Sequence, residues 1–468
     1  MTSPQIPRMK STPQISPVMQ ALSAYVARAP GRPLPPAVLE KTKHHLLDTF
    51  AAMLSGSRLP PGKKAISFAG TLGGVKESSV LGSRILTSAA NAALANGMLA
   101  HADETDDSHS RSQTHPGCGI VAAAFAMAER ERSNGMALLR AVALGYDVCC
   151  RLTQSLDAVQ FRADGHSTHG FGPTFGAAAA AGALAGLDER GARHLLSYAA
   201  QQASGISCWM RDEEHIEKAF DFGGMPARNG VAAATMVAHG FSGVEDVFSG
   251  ERSFFAAYGR APDAEELARG LGERYEIMNA DIKRWTVGSP IQAPLDSLAE
   301  LVRAHRIRPD EVDRLVVRVS PQGANTTGNR SMPDICMQHL CAILLLDGTV
   351  SFKSAHDAKR MRERRVLRLR RRIELRGDDA LARAMPRREG IVEIRLKDGR
   401  EFAHHTRAVR GTPENPMTRA EVEAKSRDLA APVIGSARAT KLCDAVWNLE
   451  RIRDVRSLRP LLGARALR

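Results

Sequence analysis

Three stretches of this chain, 120–128, 176–185 and 231–238, are rich in alanine. Alanine loses no side-chain entropy in a helix, so such runs favour helices, and their thin surfaces let backbones approach closely. Aromatic residues make up only 5% of the 468 positions, so a core must be assembled from Ala, Leu and Val. That combination argues for packed small-residue helices and against a β-sandwich. With 43% hydrophobic and 25% charged residues the chain is neither a disordered nor a fibrous type. Its length suits about two or three units, each large enough to bury a core.

Helical periodicity begins near Val18 and runs to about residue 275. Leu86, Ala90, Ala93, Leu94, Gly97 and Met98 form one apolar stripe, and Gly186 and Gly240 stand where C-terminal caps are needed. The pattern then changes. Leu315, Val317 and Val319 alternate with Val316, Arg318 and Ser320, as in a half-buried strand. Residues 391–397 alternate again and enter Asp398-Gly399, a hairpin signal. Helices fit over 294–305 and 332–346, and the C-terminal residues return to helical spacing at Ala430, Val433, Ile434, Leu442, Val446 and Leu449. The expected fold is mainly α. Residues 1–17 form a flexible lead, 18–275 with 406–468 a large all-helical domain packed together, and 276–405 a smaller α+β domain.

The formal charge of +13 is concentrated. Residues 359–372, KRMRERRVLRLRRR, carry a net +8, which leaves +5 for the rest of the chain. Val366 and Leu369 share a helical stripe there and no aromatic residues are interleaved, so the stretch reads as a solvated helix face and not as a nucleic-acid contact. Seven scattered cysteines contain no C-x-x-C pair, the pattern of reduced thiols in a cytoplasmic protein. The first residues lack the apolar run of a signal peptide, and the longest uncharged run, Gly170–Leu187, is too weakly apolar to span a membrane.

A polar, Gly-bearing segment leads into each Ala-rich helix. The first runs from His101 through Asp103, Glu104, Asp106, Asp107, Ser108 and His109 to His115-Pro116, with Pro116 suited to the first helical turn. The second holds His166 and His169 ahead of Gly176, and the third runs from Lys218 to Gly230. Helix N-termini carry unpaired N–H groups and partial positive charge, so they attract carboxylates and keep a nearby imidazole neutral. Gathered at one end of a bundle, these segments would make a cationic pocket fit for a small polyanion and for proton transfer beside a carboxylate. Plainer readings exist for each. The acids of 103–107, with His101, His109 and His115, fit either a metal site or, more simply, solvated caps. His166 and His169 fit loop hydrogen bonding, and Lys218 alone reads as a surface residue.

At these residues the chain resembles the MmgE/PrpD family, whose members include dehydratases, decarboxylases and an epimerase of polycarboxylates. The resemblance runs nearly end to end, through LTSAANAALANGMLAHADETDDSH, THPG, TFGAAAAAGALAGLD, KAFDFGGMPARNGVAAATMVAHGFSG, IKRWTVGSPIQAPLDSL and MPDICMQHLCAILLLDGTVSF. It implies a helical domain with a smaller α+β domain, a site between them, a homodimer, and no required metal or organic cofactor. It assigns site roles to Glu104, Ser108, His115, Lys218 and Lys283, and to His166 as the second histidine, with His169 as its rival. Three departures stand out: Asp334 where the decarboxylase pattern has tyrosine, Gln292 where histidine is common, and Trp285-Thr286-Val287 without the usual proline. Exchanging a phenol for a carboxylate alters the local charge and proton inventory, which separates this chain from the decarboxylase pattern. The expected activity is a cofactor-independent lyase of the dehydratase type acting on a small di- or tricarboxylate, with an isomerase or a non-catalytic scaffold as alternatives.

Overall fold

The computed structural model describes residues 15–385 and 387–464, so most of the expected flexible lead lies outside the described residues. Ser16 caps the first described helix by accepting from the Met19 N–H at 3.2 Å. The fold is mainly α with a smaller α+β part, as the periodicities imply. The helices that position the site are α1 (Pro36–Gly56), α2 (Ala89–Ala100), α3 (Pro116–Arg130), α4 (Gly135–Ser155), α5 (Thr168–Leu184) and α6 (Met225–Ala238). Further along are α7 (Gln292–His305), α8 (Met337–Asp347), α9 (Arg364–Arg370) and α10 (Arg419–Ile434). Among the described residues no helix is long and apolar enough to cross a membrane.

The strands β1 (Val312–Val319), β2 (Ile373–Gly377), β3 (Gly390–Leu396) and β4 (Glu401–Thr406) form one sheet in the order β2-β1-β3-β4. β1 pairs antiparallel with β3, opposing Val317 to Val392, and β3 pairs antiparallel with β4 across the Asp398-Gly399 turn. β2 pairs parallel with β1, Leu315 opposite Ile373, an edge strand that its charged sequence conceals. It follows the basic stretch, whose α9 buries Val366 and Leu369 and turns its arginines outward.

Two hydrophobic cores result. One gathers residues from Val18 to Ile282 and again from Met417 to Leu462, and the other gathers residues from Trp285 to Leu396. α10 is anchored on the first by Lys425, whose ammonium lies 2.6 Å from Asp48 and donates to the Thr105 carbonyl at 3.0 Å.

Three expectations about local structure are corrected. Leu86 leaves the helical stripe for a two-residue strand, Leu86–Thr87, and is exposed. The segment holding His169 is not a loop, because Ser167 accepts from the Gly170 N–H and starts α5 at Thr168, with Pro173 inside. Its glycines serve contact instead of turning: a Cβ on Gly176 would lie 2.5 Å from the Gly145 carbonyl oxygen of α4. The segment after Lys218 is helical too. Ile216–Ala219 continues through a π-helical turn, Phe220–Gly224, straight into α6. Extra residues in one helical turn let Gly223 meet Gly97 of α2 backbone to backbone, where a Cβ on Gly223 would be 2.1 Å from the Gly97 carbonyl oxygen.

Candidate active site

α2 ends at Ala100 and the chain does not regain a helix until Pro116. The acids between are buried, not solvated caps: Asp106 and Asp107 are 0% exposed and Glu104 is 9% exposed. Buried carboxylates require partners, and each finds a different set. Asp107 accepts from the Gly117 N–H at 2.9 Å, a free donor of the first turn of α3, and also from His45 Nδ1 at 2.7 Å and the Tyr146 hydroxyl. Asp106 accepts from His101 Nδ1 at 2.9 Å on one oxygen and from His115 Nδ1 at 3.2 Å on the other. A carboxylate cannot donate, so both imidazoles carry their proton on Nδ1 and leave Nε2 as the lone-pair nitrogen.

His115 is the N-cap of α3 and stays neutral well into acid, with its pKa pushed down to about 4. Burial is the main cause; Asp106 opposes it and Lys283 adds to it. His169, in the first turn of α5, stacks on Phe222 at 3.6 Å and meets Trp209 edge-on at 5.5 Å, its centroid 5.3 Å from that of His115. Burial, reinforced by the nearby Arg162 and Lys218 charges, holds it well below the usual histidine range. His215 has a left-handed backbone, φ 61°, and burial with the Lys218 ammonium lowers its pKa to about 3.

Glu104 ion-pairs with the Lys218 ammonium, and Lys283 donates to its backbone carbonyl at 2.7 Å. Burial acts to raise the Glu104 carboxyl, but Lys218 and Lys283 outweigh it and hold the group well below the usual carboxylate range. Glu104 is thus engaged with ammonium groups, 4.0 Å from His215 Nδ1, and the carboxylate that orients His115 is Asp106.

These groups converge on a cavity of about 330 Å³ between the two hydrophobic cores. Glu104, Ser108, His115, His169 and Lys218 line it, facing Ser289, Arg330 and Arg388 from the smaller unit. Lys283, only 3% exposed, lies behind this wall, 3.9 Å from both Glu104 and Asp106. His166 is not brought in. It precedes the Ser167 cap, stacks on Phe161 at 4.4 Å and bridges to Ile206, while the helix start turns His169 into the cavity instead.

Asp334 is buried and does not line the cavity; its carboxyl is 4.0 Å from His356, which in turn lies 2.9 Å from Asp103. Burial lifts Asp334 to about 6. Gln292 holds the segment after Lys283 in place, accepting from the Trp285 N–H at 3.1 Å and donating to the Trp285 and Val287 carbonyls at 2.8 and 2.9 Å.

Sequence reasoning did not single out His215, Trp209, Arg162, Arg330 or Arg388. His215 had a signal, since it stands three residues before Lys218 and a helical spacing puts both on one face. Trp209 and Arg162 had none. Arg388 sits in a charged run with nothing to distinguish it, yet it lines the cavity half-buried, and burial with the nearby Arg388 charge depresses the pKa of Arg162. Two donor sets, His101 with Asp106 and His115, and His101 with Glu104 and His215, are close enough to hold a cation. In the first the carboxylate already accepts from both imidazoles, and in the second it is paired with the Lys218 ammonium.

Comparison with known proteins places the MmgE/PrpD N-terminal domain on residues 20–267 and the MmgE/PrpD C-terminal domain on residues 285–450. The boundary between the two falls next to Lys283. A cis-aconitate decarboxylase-like protein, oryM, of Aspergillus oryzae is 28% identical over 315 residues, 63% of each chain. A cis-aconitate decarboxylase of Aspergillus terreus is 24% identical over 470 aligned positions, 92% of each chain.

Proposed function

The chain belongs to the MmgE/PrpD family, and from that premise we propose that it is a lyase of small di- or tricarboxylates that moves a proton next to a carboxylate. The observation that carries this reading is the Asp106–His115 pair at the wall of a cavity whose rim bears Lys218, Arg162, Arg330 and Arg388. Arg162 and Arg388 are half-buried like charges, an arrangement that an anion between them relieves.

In the dehydratase form, Nε2 of neutral His115 takes the proton from the carbon beside a carboxylate. The C–H electron pair becomes the C=C bond, the C–O bond breaks, and the departing hydroxide leaves as water once protonated. Lys218 and the arginines stabilise the charge that gathers on the substrate carboxylate during proton loss. The Lys218 ammonium and the Ser108 hydroxyl are the donors on the same wall. The names of the two Aspergillus relatives favour a second form, in which a C–C bond breaks, CO2 departs and the carbon left with the electron pair takes up a proton. Incubation with a panel of di- and tricarboxylates, read by mass spectrometry, separates the two as loss of water or loss of CO2. An unchanged panel refutes the lyase reading.

Two expected results follow from the geometry. With Lys218→Met, KM rises by about tenfold or more, because a charge-assisted bond to substrate is lost and Glu104 keeps only the more distant Lys283 ammonium to offset its charge. Steady-state kinetics on the hydrolytically stable acid found in the panel checks this. The second concerns pH. A base must be unprotonated, and His115 titrates at about 4 where an ordinary histidine titrates near 6.5. As pH falls, kcat/KM therefore keeps its plateau through 6.5 and declines only as pH nears 4, after correction for substrate ionisation. An acid limb centred at 6.5 contradicts the assignment.

A further inference from the structure

Behind the partition formed by Ser108, Ser110, Ser289 and Arg388, which line both spaces, lies a second chamber of about 190 Å³. Its walls are crowded with arginines. Arg410 is satisfied by Glu421 and Asn415, and Arg387 lies 3.7 Å from Glu389. Arg111, Arg388 and Arg407 have no hydrogen-bond or ion-pair partner among the described residues. Arg111 and Arg407 are exposed, while Arg388 is half-buried and feels the attraction of the Asp281 and Glu104 carboxylates without a direct bond to either. Two acids share the chamber. Glu414 is exposed, and Asp281, which accepts from the Ser110 hydroxyl at 3.3 Å, is also faced by His109, Arg388 and Lys41. Burial lifts Asp281 to about 6, against the pull of His109, Arg388 and Lys41.

We propose that this second chamber is an anion subsite, taking a small carboxylate- or phosphate-bearing ligand on Arg111, Arg407 and Arg388. Because the Arg388 guanidinium lines both spaces, an anion in one draws on the same charge as an anion in the other. Occupancy of the chamber thus weakens carboxylate binding in the first cavity, and by reciprocity the reverse holds. The subsite accepts either a separate anion or the remote carboxylate of a ligand whose reacting end lies beside His115; the chemistry of recognition is the same.

Calorimetric titration of the full chain tests this without requiring turnover, so a failure of the lyase reading leaves the test intact. The probes are citrate and inorganic phosphate, and the variants are Arg111→Gln/Arg407→Gln and Lys218→Met. The double variant is expected to bind phosphate at least about tenfold more weakly than the wild type, a difference of about 1.4 kcal/mol, while Lys218→Met keeps phosphate affinity. Two citrates per chain, one lost in each variant, identify a separate anion. One citrate per chain, weakened by both variants, identifies the remote carboxylate of a single ligand. Phosphate and citrate affinities unchanged in the folded double variant overturn the proposal.

Discussion

Replacing His115 with alanine is expected to lower kcat on the acid that the cavity turns over by about 10²–10⁴-fold, the usual contribution of a positioned general base. The substitution is unusually clean. His115 is the N-cap of α3 but its side chain caps nothing, so no helix-start bond is lost. The N-terminal donor of that helix stays with Asp107, and Asp106 keeps His101 as its partner. Folding should therefore survive, and circular dichroism with a melting curve can establish that alongside the kinetics. The neutral state of the ring gives the expectation its direction: a group held at about 4 is unprotonated throughout the neutral range and offers a lone pair. A folded His115→Ala protein turning over at the wild-type rate would remove His115 from the chemistry.

A large loss of stability is expected from one added methyl group beside the site. Gly223→Ala would set a Cβ 2.1 Å from the Gly97 carbonyl oxygen, and the obstacle is backbone on a buried helix, not a side chain able to rotate away. Overpacking usually costs about 1–3 kcal/mol, and a clash between two helix backbones belongs at or above the top of that range. The π-helical turn that carries Gly223 also carries Phe222, on which His169 stacks, so binding in the cavity should weaken in whatever fraction folds. Gly31→Ala serves as the control, since a Cβ there meets nothing within 4 Å. Urea unfolding of the two variants beside the wild type measures the difference; equal midpoints would mean that the helices can separate at no cost.

Much of the site was legible because its parts sit at helix starts. Pro116 announced the mouth of α3 and with it His115, and the stretch following α2 announced its acids. The choice between His166 and His169 was not legible. It turns on Ser167 acting as the cap, and the glycines and proline that follow carry the composition of a loop while packing as a helix against α4. The identity of the orienting carboxylate was hidden for a related reason. Glu104 and Asp106 are two residues apart, and nothing local says that one meets an ammonium and the other two imidazoles.

The periodicities and caps of this chain, read alone, determined its helical character and the α+β segment with its hairpin, because propensity, amphipathic spacing and turn chemistry act between residues a few positions apart. Its family resemblance rests on ordered motifs instead. Which charges meet was decided only in three dimensions. Lys283 reaches the Glu104 carbonyl across 179 positions and Lys218 reaches the Glu104 carboxylate across 114. The state of a buried ionisable group depends on what surrounds it in space, and Arg388, indistinguishable from its charged neighbours along the chain, becomes a shared wall of two cavities only when the second core closes on the first.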